Sequence, residues 1–291
     1  MNANRLKPLG AALLLASLPF TLAAASDHPV IQAAQQAEQS LQARVGVAVL
    51  DTSDGQLWQY RADERFPMAS TSKALMCAAL LARGQGAMKT AWLVRQDAIQ
   101  TYAPTTEKML GEYVSAAQLC AITMRNSDNT AANGVLEILG GPQAVTAFLR
   151  TVGDATTRLD RNEPTLNEAT PGDPRDTTTP QAMVQTLHRL ALGEALNPYA
   201  QERLITWLRH NEVGGPLLRA GVPEDWTMAD RTGAGGFGTR GVVAVMWPPQ
   251  GAPLVAAVYV TETRASMDER NAAIAAIGKA IAVAVEQKKR P

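Results

Sequence analysis

The chain has 291 residues, of which 46% are hydrophobic and 19% are charged, with 27 basic and 27 acidic side chains. This length and apolar content are enough to bury a large core in one or two domains, and they exclude an intrinsically disordered chain. The balanced charge argues against a broadly basic nucleic-acid-binding protein, so we expect no nucleic-acid partner.

The first 25 residues have the pattern of an export signal rather than of a folded segment. Arg5 and Lys7 precede an apolar stretch over residues 9–24, and small residues at 23–25 offer a cleavage site. A membrane anchor is the alternative, but Pro19 and the short apolar stretch disfavour a spanning helix. We therefore expect a periplasmic or secreted protein without a membrane segment after cleavage.

The next elements are predicted to be a helix, a β-hairpin and then a long series of helices. Residues 30–43 have helix-forming composition, and residues 44–50 and 57–60 form two strands joined by a turn. Residues 70–82 are apolar on all sides, which predicts a helix buried inside a domain. Further helices are predicted at 116–124, 130–139, 143–152 and 181–192.

The C-terminal part returns to strands, predicted at 226–231, 241–247 and 254–261, before an alanine-rich helix at 268–287. The N-terminal hairpin has too few partners to be stable alone, so it should join these strands. The sequence therefore predicts an α/β (α+β) fold in which an antiparallel sheet flanked by helices stands beside an all-helical domain. The expected division is residues 26–62 with 210–291 for the α/β domain, and 63–209 for the helical domain.

Ser70-Thr-Ser-Lys73 opens the buried helix and is followed by an apolar run. Positions i and i+3 of a helix lie on one face, so Ser70 and Lys73 should be neighbours. A buried ammonium is costly unless it has partners or loses its proton, which makes Lys73 a candidate base. Ser70 would lie at a helix N-terminus, where backbone amides favour negative charge. Alternatively, Ser70 caps the helix while Lys73 extends to solvent.

Two further polar groups lie between predicted elements. Ser127-Asp-Asn129 separates two helices and, taken alone, is typical of a helix cap. Arg-Thr-Gly at residues 231–233 ends a predicted strand and opens a glycine-rich turn. Glycine in that turn lets backbone amides approach a ligand closely. An ordinary hairpin is the alternative there.

Residues 161–176 form a long segment whose prolines block regular structure. Such a long ordered loop inside a compact domain is uncommon and usually functional. Arg161 and Asp176 could close its neck by an ion pair. Glu163 precedes Pro164, in a peptide bond that can adopt the cis form at modest cost.

The two cysteines and three histidines limit redox and metal chemistry. Cys77 and Cys120 could form one disulfide in an exported protein, or remain two buried thiols. His28, His188 and His210 are scattered and give no metal-ligand spacing with the cysteines. We therefore expect no metal and no cofactor, and we assign the histidines to surface or packing roles.

Taken together, the four polar groups resemble the class A serine β-lactamases over essentially the whole mature chain. That family carries Ser-x-x-Lys, Ser-Asp-Asn and Lys-Thr-Gly motifs, and the segment Glu163-Pro-x-Leu-Asn167 adds to the match. The resemblance implies the fold of serine β-lactamases and penicillin-binding proteins, with the active site between the sheet and the helical domain. It also implies β-lactam substrates and a monomeric enzyme.

The resemblance assigns the catalytic roles by position. Ser70 looks like the nucleophile that opens the β-lactam ring to form an acyl-enzyme, and Lys73 and Glu163 are both candidate bases for that step. Glu163, with Asn167 holding a water molecule, resembles the base that drives deacylation. Ser127 would relay a proton to the leaving nitrogen.

The resemblance also assigns residues to substrate binding. The backbone amides of Ser70 and Ala234 would form the oxyanion hole. Asn129 would hydrogen-bond the side-chain amide of the substrate, and Tyr102 would form a wall of the cleft.

The third motif departs from the family pattern, because Arg231 stands in place of the usual lysine, which resembles the carbenicillin-hydrolysing branch. Arginine keeps the positive charge and spreads it over a planar fork suited to carboxylates. The substrate carboxylate should therefore be recognised by Arg231, Thr232 and Arg240, with Gly233 beside them. A second carboxylate on the acyl side chain, as in carboxypenicillins, could be attracted by the same positive charge. Arg161 retains the residue whose loss accompanies broader cephalosporin activity in the family. We therefore expect a penicillinase with limited cephalosporinase activity.

Three other functions compete with this interpretation. A penicillin-binding D,D-peptidase shares the Ser-x-x-Lys chemistry but remains trapped as the acyl-enzyme, whereas Glu163 and Asn167 favour a hydrolase that activates water. A non-catalytic β-lactam sensor would need a membrane transducer. A secreted binding domain with coincidental motifs is the last alternative.

Overall fold

The computed structural model describes Met1 and residues 28–289, and the statements below concern that part of the chain. The predicted export signal, residues 1–25, lies outside it apart from Met1. None of the helices formed by residues 28–289 combines the length and the apolar character needed to cross a membrane.

A five-stranded antiparallel sheet joins the N-terminal hairpin to the C-terminal strands. From one edge to the other, its strands are β2 (Leu57–Tyr60), β1 (Arg44–Asp51), β9 (Leu254–Thr261), β8 (Arg240–Trp247) and β7 (Thr227–Ala234). β1 pairs with β9 along its whole length, with Ala48 opposite Ala257. The prediction that the hairpin joins the C-terminal strands is therefore confirmed.

The central strands are buried on both faces, which explains why they read as continuous apolar runs. Successive residues of a strand point to opposite faces. In β8, Val243 packs into the core shared with the helical region, whereas Val242 packs into the core on the other face. That second core is covered by α1 (Pro29–Leu41) and α9 (Met267–Lys288), which also contact each other.

Most of the remaining helices surround one buried helix, α2 (Ser72–Ala82), whose residues 72–81 are all buried as predicted. The helices that contact it are α3 (Gln85–Met88), α4 (Ala116–Asn126), α5 (Asn129–Leu139), α6 (Pro142–Thr151) and α8 (Pro198–Arg209). α7 (Pro180–Ala191) packs against the five-stranded sheet and α8. The sequence analysis did not identify α8. Its start carries a recognisable signal, because Asn197 caps it by accepting a hydrogen bond from Ala200 N and Pro198 occupies the first turn.

Two short sheets inside the helical region were also not predicted. They are β3 (Phe66–Pro67) with β6 (Thr177–Thr178), and β4 (Ala91–Leu93) with β5 (Tyr113–Ser115). Strands of two or three residues carry too little alternation to be recognised, and their partners are brought close only by the fold.

A disulfide joins Cys77 in α2 to Cys120 in α4, with 5.7 Å between the Cα atoms. Both side chains are completely buried. The predicted pairing is therefore confirmed, and the alternative of two free thiols is set aside. The division of the chain into residues 26–62, 63–209 and 210–291 stays a prediction.

Candidate active site

Ser70 lies in a tight 3₁₀ turn, Ala69–Thr71, that leads into α2. Ala69 has a φ of 45°, a conformation that is uncommon for a residue with a side chain and often marks functional turns. Ser70 is 8% exposed, and its Oγ accepts a hydrogen bond from Lys73 Nζ at 2.9 Å. Within residues 28–289, no side chain caps α2, whose N-cap position is Thr71. The interpretation of Ser70 as a simple helix cap therefore does not describe this turn.

Lys73 is completely buried, so its side chain does not extend to solvent. Its ammonium nitrogen is surrounded by oxygens: Ser70 Oγ at 2.9 Å, Ser127 O at 2.8 Å, Ser127 Oγ at 3.2 Å, Asn129 Oδ1 at 2.6 Å and Glu163 Oε1 at 2.9 Å. A lysine can donate only three hydrogen bonds at a time, so these acceptors compete for its protons. Lys73 can thus exchange protons with the Ser70 hydroxyl, with Ser127 and with the Glu163 carboxylate.

Burial lowers the pKa of Lys73 to about 8, because removal from water penalises the charged ammonium. The Glu163 carboxylate opposes this shift, while the charge of Arg231 adds to it. With that pKa, roughly one lysine in ten is neutral at pH 7. Lys73 can therefore act as a base toward the Ser70 hydroxyl near neutral pH.

Glu163 is held in place through both its backbone and its side chain. Asn133 Oδ1 accepts from Glu163 N at 2.9 Å, and Asn133 Nδ2 donates to Glu163 O at 2.9 Å. Asn167 Nδ2 donates to Glu163 Oε2. The contact of Lys73 with Oε1 is an ion pair by distance but lies outside hydrogen-bond geometry. The carboxylate is thereby directed toward Lys73, and the bond between Glu163 and Pro164 is cis.

Asn133 is a residue of the site that the sequence analysis missed. It lies one helical turn after Asn129 in α5, so both amides project from the same face of that helix. That spacing is the signal that could have identified it, although nothing in the sequence indicates that its partner is the backbone of Glu163.

The Ser127-Asp-Asn129 segment combines a helix cap with contacts to the lysine. Asp128 Oδ1 accepts from Ala131 N at 2.9 Å and caps α5. Ser127 has a φ of 68°, and its carbonyl and hydroxyl oxygens both contact Lys73. The capping interpretation is therefore correct for Asp128, while its two neighbours face the site.

A cleft of about 300 Å³ opens at Ser70. The residues that line it are Ser70, Tyr102, Ser127, Asn129, Asn167, Val213, Thr232, Gly233, Ala234 and Arg240. Apart from Val213, each of them was singled out from the sequence. Tyr102 is 49% exposed and its carbonyl accepts a hydrogen bond from Asn129 N at 2.9 Å, which fixes the wall that it forms. A larger cavity near Gln42 contains none of these residues.

The third motif lies inside β7 rather than at its end, which corrects the predicted strand boundary. β7 continues to Ala234, which pairs with Arg240. Glycine usually weakens a strand, but a Cβ on Gly233 would lie 2.8 Å from Met68 O and 3.0 Å from Ser70 N. Gly233 therefore lets the strand pack directly against the Ala69–Thr71 turn that carries Ser70, and this contact outweighs the low strand propensity of glycine.

Arg231 lies behind the cleft and is completely buried, whereas Thr232 and Arg240 line the cleft. Arg231 Nε donates to Ser70 O at 3.2 Å. Arg231 Nη1 donates to Met124 O at 3.4 Å and to Asn211 Oδ1 at 3.1 Å. Its Nη2 has no acceptor among residues 28–289. Burial lowers the pKa of Arg231 to about 10. The guanidinium therefore supports the turn that carries Ser70, and one of its nitrogens is unpaired within the described part of the chain.

Arg240 is the cation that reaches the cleft. Its Nε donates to Asn271 Oδ1 at 2.8 Å and its Nη1 donates to Gly233 O at 3.2 Å. Burial, together with the nearby charge of Arg270, lowers the pKa of Arg240 to about 10, so it stays protonated near neutral pH. A fixed positive charge therefore borders the cleft.

Residues 161–176 are anchored at their neck and at their tip. Arg161 Nε lies 2.5 Å from Asp176 Oδ2, and Arg161 also contacts Glu168. At the other side of the loop, Gly236 N donates to Asn167 O at 2.8 Å. The loop that carries Glu163 is thus fastened both to itself and to the β7–β8 hairpin.

The sequence matches a known family over nearly all of the described chain. The model of the beta-lactamase enzyme family matches residues 29–285. The chain is 47% identical over 265 residues to beta-lactamase AER-1 of Aeromonas hydrophila, covering 90% of this chain and 87% of that protein. It is 44% identical to PSE-4 and 45% identical to CARB-3 of Pseudomonas aeruginosa, in each case covering 94% of this chain and 96% of the relative.

Solved structures agree with this match. The ancestral (GNCA) class A beta-lactamase has a TM-score of 0.84 at 50% identity, covering 88% of this chain and 100% of that one. The chromosome-encoded beta-lactamase of Vibrio parahaemolyticus has a TM-score of 0.84 at 42% identity, covering 88% and 98%. The predicted fold and the predicted enzyme class are confirmed, which sets aside the peptidase, sensor and binding-domain alternatives. The chain belongs to the class A β-lactamase family and is a β-lactamase, an enzyme that hydrolyses β-lactams.

Proposed function

We propose that this enzyme hydrolyses penicillins, including carboxypenicillins, and some early cephalosporins, through an acyl-enzyme on Ser70. The observation that carries this proposal is the position of Lys73 Nζ, which lies 2.9 Å from both Ser70 Oγ and Glu163 Oε1. A nucleophile within reach of a base that is itself oriented by a third group is the arrangement that covalent catalysis requires.

In the acylation step, Ser70 Oγ attacks the β-lactam carbonyl carbon and gives up its proton. Lys73, whose pKa is lowered to about 8, is one acceptor, and Glu163 acting through water is the other. The backbone amides of Ser70 and Ala234 stabilise the oxyanion. As the C–N bond breaks, Ser127 Oγ protonates the leaving nitrogen and regains a proton from Lys73 Nζ, 3.2 Å away.

In the deacylation step, Glu163 and Asn167 activate water. Glu163 Oε1 and Asn167 Oδ1 are buried acceptors that receive no hydrogen bond from residues 28–289. One water molecule donating to both would satisfy them, as buried polar groups normally are. Glu163 takes a proton from that water as the water oxygen attacks the ester carbon. When the ester bond breaks, this proton passes through Lys73 Nζ to Ser70 Oγ, which restores the hydroxyl and the free carboxylate.

Two arginines support recognition of anionic substrates. Arg240 and Thr232 line the cleft, where they would bind the carboxylate common to penicillins and cephalosporins. Arg231 adds a buried positive charge directly behind them. The positive charges of Arg231 and Arg240 would also attract a second carboxylate on the substrate side chain and so strengthen its binding, because charges interact strongly where water is excluded. The anchored loop at Arg161 favours a narrow cleft and therefore limited cephalosporinase activity.

The enzyme is proposed to act as a monomer in the periplasm or after secretion. The buried disulfide supports this location, since disulfides persist in oxidising compartments. The export signal proposed for residues 1–25 would direct it there.

Steady-state hydrolysis of benzylpenicillin, carbenicillin, cefotaxime and imipenem tests the proposal. We expect kcat/KM for both penicillins to exceed the values for cefotaxime and imipenem by at least about a hundredfold, because the latter pair demand a different cleft shape. Comparable values for cefotaxime would overturn the proposed spectrum, and slow turnover of carbenicillin alone would remove the carboxypenicillin part. Chelation with EDTA is expected to leave all rates unchanged.

A further inference from the structure

A group of buried polar side chains lies directly behind the cleft. Asn211 is 4% exposed, and Asp230 and Arg231, neighbours in β7, are 0% exposed. Asn211 Oδ1 accepts a hydrogen bond from Arg231 Nη1 at 3.1 Å, while Asn211 Nδ2 donates to Asp230 Oδ2 at 3.1 Å. One neutral amide therefore stands between a guanidinium and a carboxylate.

The orientation of this amide is set by its partners. Asn211 Oδ1 also accepts from Val213 N at 3.2 Å. Two N–H donors thus face the oxygen, and a carboxylate, which can only accept, faces the amide nitrogen. Rotating the amide by half a turn would place donors against donors and an acceptor against an acceptor. The carbonyl of Asn211 is consequently fixed toward Arg231.

The Asp230 carboxylate and the Arg231 guanidinium, on either side of the amide, differ in whether they are bonded to an opposite charge. Arg219 Nε donates to Asp230 Oδ1 at 2.7 Å, so this carboxylate has a cation of its own. The partners of Arg231 are neutral oxygens, namely Ser70 O, Met124 O and Asn211 Oδ1. Arg231 is therefore held by dipoles rather than by an ion pair, and its charge is not cancelled by a bonded anion.

Asn211 is also connected to the wall of the cleft. Val213, whose amide binds Asn211, lines the cleft. A Cβ on Gly214 would lie 2.2 Å from Asp230 Oδ2 and 2.8 Å from Asn211 Nδ2, so the backbone passes directly over this pair. A change at position 211 would therefore be felt at Arg231 and at the cleft.

We infer that Asn211 is a positioning and specificity-determining residue, which holds Arg231 through a neutral oxygen so that the guanidinium charge remains available to anionic substrates. A carboxylate at this position would pair with Arg231 and weaken its field in the cleft. Penicillins with two carboxylates depend on that field more than penicillins with one. The inference rests on the proposed role of Arg231 in recognising substrate carboxylates.

The sharpest test is Asn211→Asp, which keeps the shape of the side chain and adds a charge once the pH is high enough to ionise both the new carboxylate and Asp230, which faces it. The rates are therefore compared up to about pH 9. We would measure kcat and KM for carbenicillin, with two carboxylates, and benzylpenicillin, with one, in the wild type, Asn211→Asp, Arg231→Lys and the double variant. Asn197→Asp is the matched control, because it makes the same charge change at the exposed start of α8.

We expect Asn211→Asp to lower the carbenicillin-to-benzylpenicillin ratio of kcat/KM by about tenfold, mainly through KM for carbenicillin, because it removes a charge interaction with the second carboxylate. Asn197→Asp should leave the ratio unchanged. In the Arg231→Lys background, Asn211→Asp should change the ratio by less than about twofold, since residues that act as a unit are not additive. An unchanged ratio in Asn211→Asp, or an equal change in both backgrounds, would overturn the inference.

A second variant keeps the test decisive if Asn211→Asp does not fold. Asn211→Ala removes the acceptor that holds Arg231 without adding a charge, so we expect it to increase KM for carbenicillin. That increase should disappear in the Arg231→Lys background. An equal increase in both backgrounds would show a purely structural role and overturn the inference. Failure of the wild type to hydrolyse carbenicillin would instead contradict the proposed function. If the wild type hydrolyses carbenicillin and Arg231→Lys changes the carbenicillin-to-benzylpenicillin ratio of kcat/KM, the Asn211 variants test the role of Asn211 alone.

Discussion

The loop that carries Glu163 meets the β7–β8 hairpin at Gly236, and this contact makes catalysis sensitive to a single methyl group. A Cβ on Gly236 would lie 2.2 Å from Glu168 O, whereas ordinary contact begins at 3.4 Å. Gly236→Ala must therefore separate the two segments by roughly 1 Å. The obstructing atom belongs to the backbone, so rotation of a side chain cannot relieve the clash.

The displaced loop holds Glu163 and Asn167, whereas Ser70 and Lys73 lie on α2 and the turn before it. A misplacement of about 1 Å at a catalytic group can cost about a hundredfold in rate. We therefore expect Gly236→Ala to lower kcat for benzylpenicillin by about 10- to 100-fold through deacylation, with a smaller effect on acylation.

Rapid-quench mass spectrometry separates the two steps, because slow deacylation leaves the enzyme covalently labelled during turnover. Gly86→Ala is the matched control, since a Cβ on Gly86 would meet no atom within 4 Å. Unchanged kcat in Gly236→Ala would show that the contact between Gly236 and the loop does not position Glu163 for deacylation. An equal loss of acylation, without labelled enzyme, would show that the hairpin rather than the loop had moved.

Three further predictions follow from charge and covalent structure. Glu163→Gln removes the carboxylate that raises the pKa of Lys73, so acylation by benzylpenicillin should increase with pH to a midpoint below about 8; loss of acylation at every pH would assign the base role to Glu163. Arg161→Ala leaves a buried carboxylate unpaired and should lower the free energy of unfolding by about 3 kcal/mol in urea titrations; an unchanged midpoint would contradict this. Cys120→Ser should cost up to about 4 kcal/mol by freeing Cys77 and opening a 43-residue loop; equal stability of the variant and the oxidised wild type would exclude that contribution.

Elements with a strong apolar pattern could be predicted from the sequence. α2 is apolar around its whole circumference because it is buried on every side, and β8 and β9 are continuously apolar because both faces of the sheet are covered. Most of the residues lining the cleft could be predicted as well, because the Ser-x-x-Lys, Ser-Asp-Asn, Arg-Thr-Gly and Glu-Pro-x-Leu-Asn segments resemble family motifs whose roles carry over by position. Val213 belongs to none of these motifs and was not predicted.

Contacts between distant segments could not be predicted in this way. Nothing in the sequence around Arg231 shows that its nitrogens bind backbone oxygens of Ser70 and Met124 rather than line the cleft. Asn133 and Asn211 were missed for the same reason, since their partners lie 30 and 20 residues away. β7 extends past its predicted end because Gly233 packs against the turn that carries Ser70, which is a tertiary contact that local propensity does not contain.

The proposed mechanism passes through an acyl-enzyme on Ser70, which is hydrolysed by water that Glu163 activates. Intact-mass spectrometry of Glu163→Ala mixed with benzylpenicillin tests it most directly, with Ser70→Ala as the companion variant. We expect Glu163→Ala to accumulate an adduct with the mass of one penicillin molecule, and Ser70→Ala to remain unlabelled. Rapid turnover by Glu163→Ala without an adduct, or labelling of Ser70→Ala, would contradict it.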